Sequence, residues 1–128
     1  HAVDVGRAIN PASVEGQIEG GFVQGLGFAL TEEMVWDGAR LANPSLLDYL
    51  VPSAAEMPSF ETAFTVTPST SNPLGVKGIG EAGTIGAAPA VINAIVDALS
   101  GLGVTDMPMP ASPQTVWNAI HTAQGASK

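Results

Sequence analysis

Residues Gly75 to Ala88 read GVKGIGEAGTIGAA, and no other stretch constrains the chain as tightly. A single carboxylate, Glu81, stands among Gly75, Gly78, Gly80, Gly83 and Gly86. Glycine tolerates φ > 0 and has no side chain to block close approach. A lone acid on such a loop is well presented to act as a catalytic base.

A second glycine-rich stretch precedes it. Val14, Ile18, Phe22, Leu26, Leu30 and Met34 recur every fourth residue, the spacing of a helical stripe. Ser13 is the expected N-cap, and Glu15 falls in the first turn. Gly16, Gly20, Gly21, Gly25 and Gly27 lie on the same helix. Each costs ~1 kcal/mol against Ala. Such a load implies that another backbone or a ligand lies against the helix, and the sequence leaves both open. Gln17 and Gln24 stand at i and i+7, close to one face. Their amides are either solvated or free to donate and accept against a heterocycle.

The remaining segments predict an α+β chain: a small mixed sheet, two main helices and a C-terminal helix. His1–Val5 reads as the end of a strand and Asn10-Pro11 as a turn. Asp37-Gly38 signals a hairpin within Met34–Leu41. Residues 45–52 form a short irregular or helical piece. Residues 59–67 alternate as a half-buried strand, and 68–73 form a loop. The second helix has Pro89 in its first turn, Val91, Ile92, Ile95, Val96 and Leu99 on its buried face, and Gly101 and Gly103 at its end. Met107–Pro110 is extended. Ser112 caps the last helix and Pro113 opens it, with Val116, Trp117 and Ile120 facing inward. The tail from Gln124 to Lys128 is expected to fray. Phe22, Phe64 and Ile95 are the test residues for burial.

The chain has 128 residues, the size of one domain. Its charged fraction of 12% is about half the usual ~25%. Either much of its surface meets more protein, or that surface is merely polar and glycine-rich. The net charge is −8, with Arg7, Arg40, Lys77 and Lys128 as the basic residues. That composition excludes nucleic-acid binding, which needs clustered Lys and Arg. It also disfavours an anionic membrane surface. No stretch approaches the ~18–20 uninterrupted apolar residues of a membrane span. The opening lacks the regions of a signal peptide and reads as a cut piece of a longer chain. With no cysteine, there is no disulfide, thiolate metal site or iron–sulfur ligation.

Several motif readings fail on context. Gly78 to Gly83 matches G-x-G-x-x-G, but no strand directly precedes it and Glu81 would point a negative charge at a pyrophosphate. A phosphate loop needs Lys followed by Ser or Thr after its last glycine, whereas Lys77 precedes the glycines. His1 and His121 stand alone, so no metal site is expected. There is no Gly-x-Ser-x-Gly elbow. Glu32-Glu33 reads as a solvated face.

Taken in order, Asp4–Leu30 (DVGRAINPASVEGQIEGGFVQGLGFAL), Asn43–Pro52 (NPSLLDYLVP) and Gly75–Ile95 (GVKGIGEAGTIGAAPAVINAI) resemble one family. It is the molybdenum-binding large subunit of the xanthine dehydrogenase and aldehyde oxidase family, and the likeness is to its C-terminal end. The resemblance implies hydroxylation of aldehydes or aromatic heterocycles, with water as the oxygen source, on a molybdenum held by molybdopterin. It makes Glu81 the general base that takes the proton from the metal's hydroxyl ligand. It places the Gly80 backbone beside the metal's ligands, includes Gly78 in the same cofactor-binding turn, and matches Gln17 to a glutamine that hydrogen-bonds the pterin. Ala82-Gly83 after the glutamate is the bacterial pattern, with aldehyde- or carbon-monoxide-dehydrogenase-like subunits favoured. The implied partners are the remainder of the large subunit, iron–sulfur and flavin modules, and a small-molecule substrate. The implied setting is the bacterial cytoplasm, with the periplasm also open. The chain reads as a single domain or a fragment, the C-terminal portion of a molybdopterin-binding domain. Alone it is expected to be inactive and to hold no cofactor. The alternative is a non-catalytic binding or assembly module with the same fold. Lys77 is the nearby cation expected to stabilise the Glu81 carboxylate.

Overall fold

The computed structural model describes residues 2–125. His1 and the last three residues of the expected fraying tail lie outside that range. Helix α1 spans Pro11–Leu30, α2 spans Ala82–Leu99 and α3 spans Pro113–Gly125. Strands β1 (Trp36–Asp37) and β2 (Arg40–Leu41) form an antiparallel hairpin, with Trp36 opposite Leu41 and Asp37 opposite Arg40. Gly38 turns it at φ 61°, a conformation that glycine adopts without strain. Short 3-10 turns occupy Ala54–Glu56 and Ser100–Leu102.

The start of α1 differs from expectation. Asn10, not Ser13, is the N-cap, and its side chain accepts from the Ser13 N–H at 3.1 Å. Pro11 then occupies the first helical position, where its missing N–H costs nothing. Glu15 therefore falls beyond the first turn. Leu30 ends the helix, so Met34 leaves the stripe and is exposed.

α2 begins seven residues before Pro89, which sits inside the helix rather than in its first turn. Packing decides this start. Gly83 lies against the α1 backbone, where a Cβ would come within 2.7 Å of the Ile18 carbonyl. The stretch Ala82–Leu102 is long and apolar enough, by length and composition, to cross a membrane. That revises the sequence reading, which found no such stretch. Here Gly83 and Ala87 are buried, and α2 packs on α1.

The expected strand at 59–67 is not a strand. Thr65 makes one isolated parallel bridge to Asp4, and Gly6 makes one antiparallel bridge to Val76. The alternation survives in burial: Phe60, Thr62 and Phe64 are half-buried, while Glu61, Ala63 and Thr65 are exposed. Phe60 meets Phe22 of α1 edge to face, with centroids 5.6 Å apart. Phe22, Phe64 and Ile95 are all half-buried rather than fully buried.

Two small cores result. Val3, Val5 and Val14 form one, with Ile18, Phe64, Ile79 and Ala82 against it. Val104, Met107 and Ala111 form the other, under α2 and α3. Ser112 caps α3 as expected, accepting from the Thr115 N–H at 3.2 Å. Trp117 faces outward and stacks on His121 at 3.8 Å between centroids.

Candidate active site

The glycine-rich loop is pinned at its start. Lys77 N–H donates to the Val5 carbonyl at 3.3 Å, and Arg7 N–H donates to Gly75 at 2.8 Å. The loop then runs past α1, where Gln17 Nε2 donates to the Gly80 carbonyl at 3.3 Å. Glu81 follows as the N-cap residue of α2. Its carbonyl accepts from Thr84 N–H at 3.1 Å and Ile85 N–H at 3.2 Å. Gln17, 63 positions away, is thus brought to the adjacent pair Gly80 and Glu81.

The Glu81 side chain is exposed and makes no capping hydrogen bond. Among the described residues its carboxylate has no hydrogen-bond or ion-pair partner. Lys77 does not supply one. Its ammonium lies 2.9 Å from the Asp4 carboxylate. The pairing of Val76 with Gly6 sets Lys77 beside Asp4. Asp4 also accepts from Gly6 N–H at 2.9 Å and Thr67 N–H at 3.1 Å. The Gly6 N–H, then the Lys77 ammonium and the Thr67 N–H, hold its carboxyl well below the usual range.

Gly78 and Gly80 are not needed for left-handed backbone; of the loop's glycines, only Gly75 has positive φ, at 69°. Their lack of a side chain matters instead. A Cβ on Gly78 or Gly80 would meet nothing within 4 Å, so both leave the backbone approachable from outside.

The glycines of α1 divide in two. A Cβ on Gly21 would come within 2.8 Å of Thr84 N and 2.9 Å of Gly83 Cα. One on Gly25 would come within 2.5 Å of Ala87 Cβ. One on Gly27 would strike the Glu32 carboxylate and Pro52. These three serve packing. Gly16 and Gly20 face open space.

Sequence reasoning missed Thr84, whose hydroxyl donates to Gln24 Oε1 at 3.4 Å. The i+7 spacing of Gln17 and Gln24 was the available signal. It also misread Glu32, which is half-buried and accepts from the Tyr49 hydroxyl at 2.6 Å. That bond and the partial burial raise the Tyr49 pKa.

A cavity of about 210 Å³ opens beside Gln17, lined by Arg7, Asn10, Ser13, Lys77 and Ile79 among others. Among the described residues, no three His, Cys, Asp or Glu side chains gather closely enough to hold a metal ion. A metal carried on an organic cofactor needs no such cluster.

Residues 1–58 match the molybdopterin cofactor-binding domain family. The chain is 41% identical over 118 residues to the carbon monoxide dehydrogenase large chain of Hydrogenophaga pseudoflava, covering 91% of this chain and 15% of that one. It is 36% identical over 122 residues to the xanthine dehydrogenase molybdenum-binding subunit of Escherichia coli O157:H7, covering 94% of this chain and 16% of the relative. The chain belongs to this molybdopterin-binding family. Its fold is the family's fold as well. The quinoline 2-oxidoreductase structure from Pseudomonas putida 86 superimposes with a TM-score of 0.88 at 39% identity, over 92% of this chain and 15% of that one. The chain thus spans about 15% of the length of the family members it matches.

Proposed function

We propose that this chain supplies the general base of a molybdenum hydroxylase that oxidises a small aldehyde, heterocycle or related substrate with water as oxygen donor. One observation carries the reading. The Glu81 carboxylate stands unpartnered on a turn whose preceding peptide is anchored by Gln17. Among the described residues, Glu81 is spent on neither a cap nor an ion pair.

The residues present suit a pterin. Gln17 spends one N–H on Gly80 and keeps a second N–H and its Oε1 for a heterocycle edge. Gly78, Gly80, Gly16 and Gly20 present backbone with no side chain in the way. Gln17, Gly78 and Gly80 would therefore hold the cofactor's edge. When bound, the molybdenum cofactor supplies the two-electron acceptor and the point at which water-derived oxygen is activated. The chain's own contribution is the proton acceptor, a Glu81 carboxylate oxygen within ~3 Å of the proton it takes.

The surface supports a larger assembly. Trp36, Leu46, Leu47, Ile85 and Trp117 are each more than half exposed. The remainder of a large subunit, with iron–sulfur and flavin modules beyond it, accounts for such a surface. A cytoplasmic setting in a bacterium follows from the same reading, as does its place as the C-terminal portion of the cofactor-binding domain.

Glu81→Gln in the complete enzyme tests the proposal. It preserves shape and removes basicity. The rate of enzyme reduction by substrate should fall at least ~100-fold, with molybdenum content unchanged. Reduction at near wild-type rate would remove the base assignment.

A further inference from the structure

The turn that carries Glu81 is held from α1 by two side-chain hydrogen bonds, one on either side of Glu81. On the upstream side, Gln17 Nε2 reaches the Gly80 carbonyl. On the downstream side, Thr84 makes two bonds of different reach. Its N–H returns to the Glu81 carbonyl at 3.1 Å. Its hydroxyl donates across to Gln24 Oε1 at 3.4 Å. Between the two glutamines, Gly21 lets the Thr84 N and Gly83 Cα seat directly on α1. Gln17, Gly21 and Gln24 lie four and three residues apart, one face of a helix at 3.6 residues per turn. The first turn of α2 is therefore fixed upstream, at its centre and downstream, by one face of one rigid element.

We propose that Gln24, acting through the Thr84 hydroxyl, is a positioning residue that fixes the backbone from which the Glu81 side chain projects. The proposal rests on the base assignment above. The hydrogen bond of Gln24 to this turn is to the Thr84 hydroxyl and not to Glu81, so its effect passes through the backbone of α2. The Glu81 side chain has no bond of its own to hold it. Its placement depends on where that backbone lies. Misplacing a reacting group by about 1 Å costs up to ~100-fold in rate, so a modest displacement is measurable.

The test uses the complete molybdenum-loaded enzyme. Thr84→Val keeps shape and removes the hydroxyl. Gln24→Leu removes its acceptor. Thr84→Ser restores the donor. Each of the first two should slow the limiting rate of enzyme reduction by about tenfold and change the substrate dissociation constant by less than about twofold. The double variant should be no slower than either single variant, because both break one bond. Thr84→Ser should return the rate to within about twofold of wild type. A second readout is amide hydrogen exchange of the peptide covering residues 78–86, which should speed several-fold in Thr84→Val and Gln24→Leu and not in Thr84→Ser. Gln24 is exposed, so Gln24→Leu keeps the test alive if Thr84→Val fails to load molybdenum.

Unchanged exchange in both disruptive variants would overturn the proposal. So would faster exchange with an undiminished rate, provided Glu81→Gln is slow. If Glu81→Gln itself reduces normally, the base assignment fails and the positioning role falls with it. That outcome is told apart by the Glu81 variant alone.

Discussion

At the crossing of α1 and α2, a Cβ on Gly21, Gly25 or Gly83 would come within 2.5 to 2.8 Å of an atom of the facing helix. On the same α1 helix, a Cβ on Gly16 or Gly20 would meet nothing within 4 Å. The two groups share a residue type and a secondary structure, yet answer to different neighbours. The first lets two backbones touch. The second, with Gly78 and Gly80, keeps a surface bare around Gln17 and Glu81. One helix therefore carries both a packing seam and a bare rim, and glycine content by itself separates neither from the other.

Substitution should split the two groups by sign. The largest effect belongs to the seam. Gly21→Ala drives its methyl into the Thr84 and Gly83 backbone, which cannot give as a flexible side chain would. The loss should be about 1–3 kcal/mol, read by urea or thermal unfolding of the protein. A loss under ~0.5 kcal/mol would mean the helices can part cheaply, and the seam would not be a seam.

Next comes the rim. Gly16→Ala places a methyl in open space on a helix and should stabilise by about 1 kcal/mol in the same assay. A destabilised Gly16→Ala would show a neighbour that the fold described here does not contain.

The smallest effect concerns the loop that feeds the rim. Asp4 is ionised far more readily folded than unfolded, because Gly6 N–H, Lys77 and Thr67 N–H favour its charged form. Its contribution is present above the unfolded value of ~3.9 and is lost as pH falls below it toward the folded value. Asp4→Asn should flatten that acid limb and leave Gly21→Ala and Gly16→Ala unaffected. An unchanged acid limb would show that another carboxylate governs it.

Much of this was legible in the sequence, and most of the failures share one cause. The four-residue spacing of Val14, Ile18, Phe22, Leu26 and Leu30 set out α1, although of that stripe only Val14 and Leu26 have so much as a claim to the interior: Val14 is buried, and the other buried residues of the helix are Gly25, Gly27 and Ala29. Asp37-Gly38 and Ser112-Pro113 marked a turn and a helix start through backbone chemistry that is local. Gln17 and the adjacent Gly80 and Glu81 were picked out from two motifs, and the Gln17–Gly80 bond brings the two together. Apart from the α1 N-cap, where Asn10 rather than Ser13 caps through local chemistry, what failed depended on distant partners. Local propensity hid the first turns of α2, because Gly83 is a poor helix former until Gly21 faces it. Lys77 looked like the partner of Glu81 because it is four residues away. Its real partner, Asp4, is set by a bridge between remote segments. Residues 59–67 keep their alternation without a ladder, since one bridge, Thr65 to Asp4, replaces a paired strand.

The bonds that build the site join residues far apart along the chain. Gln17 reaches Gly80 across 63 positions, Gln24 reaches Thr84 across 60, and Asp4 reaches Lys77 across 73. A ribosome adding roughly 5–20 residues per second therefore delivers Asp4 and Gln17 several seconds before anything they hold. Helix α1 can coil in that interval, but it has nothing to cross. The Glu81 turn thus cannot assemble until residues 80–84 have followed α1 off the ribosome, and its arrival reports that the segments on both sides have already found each other.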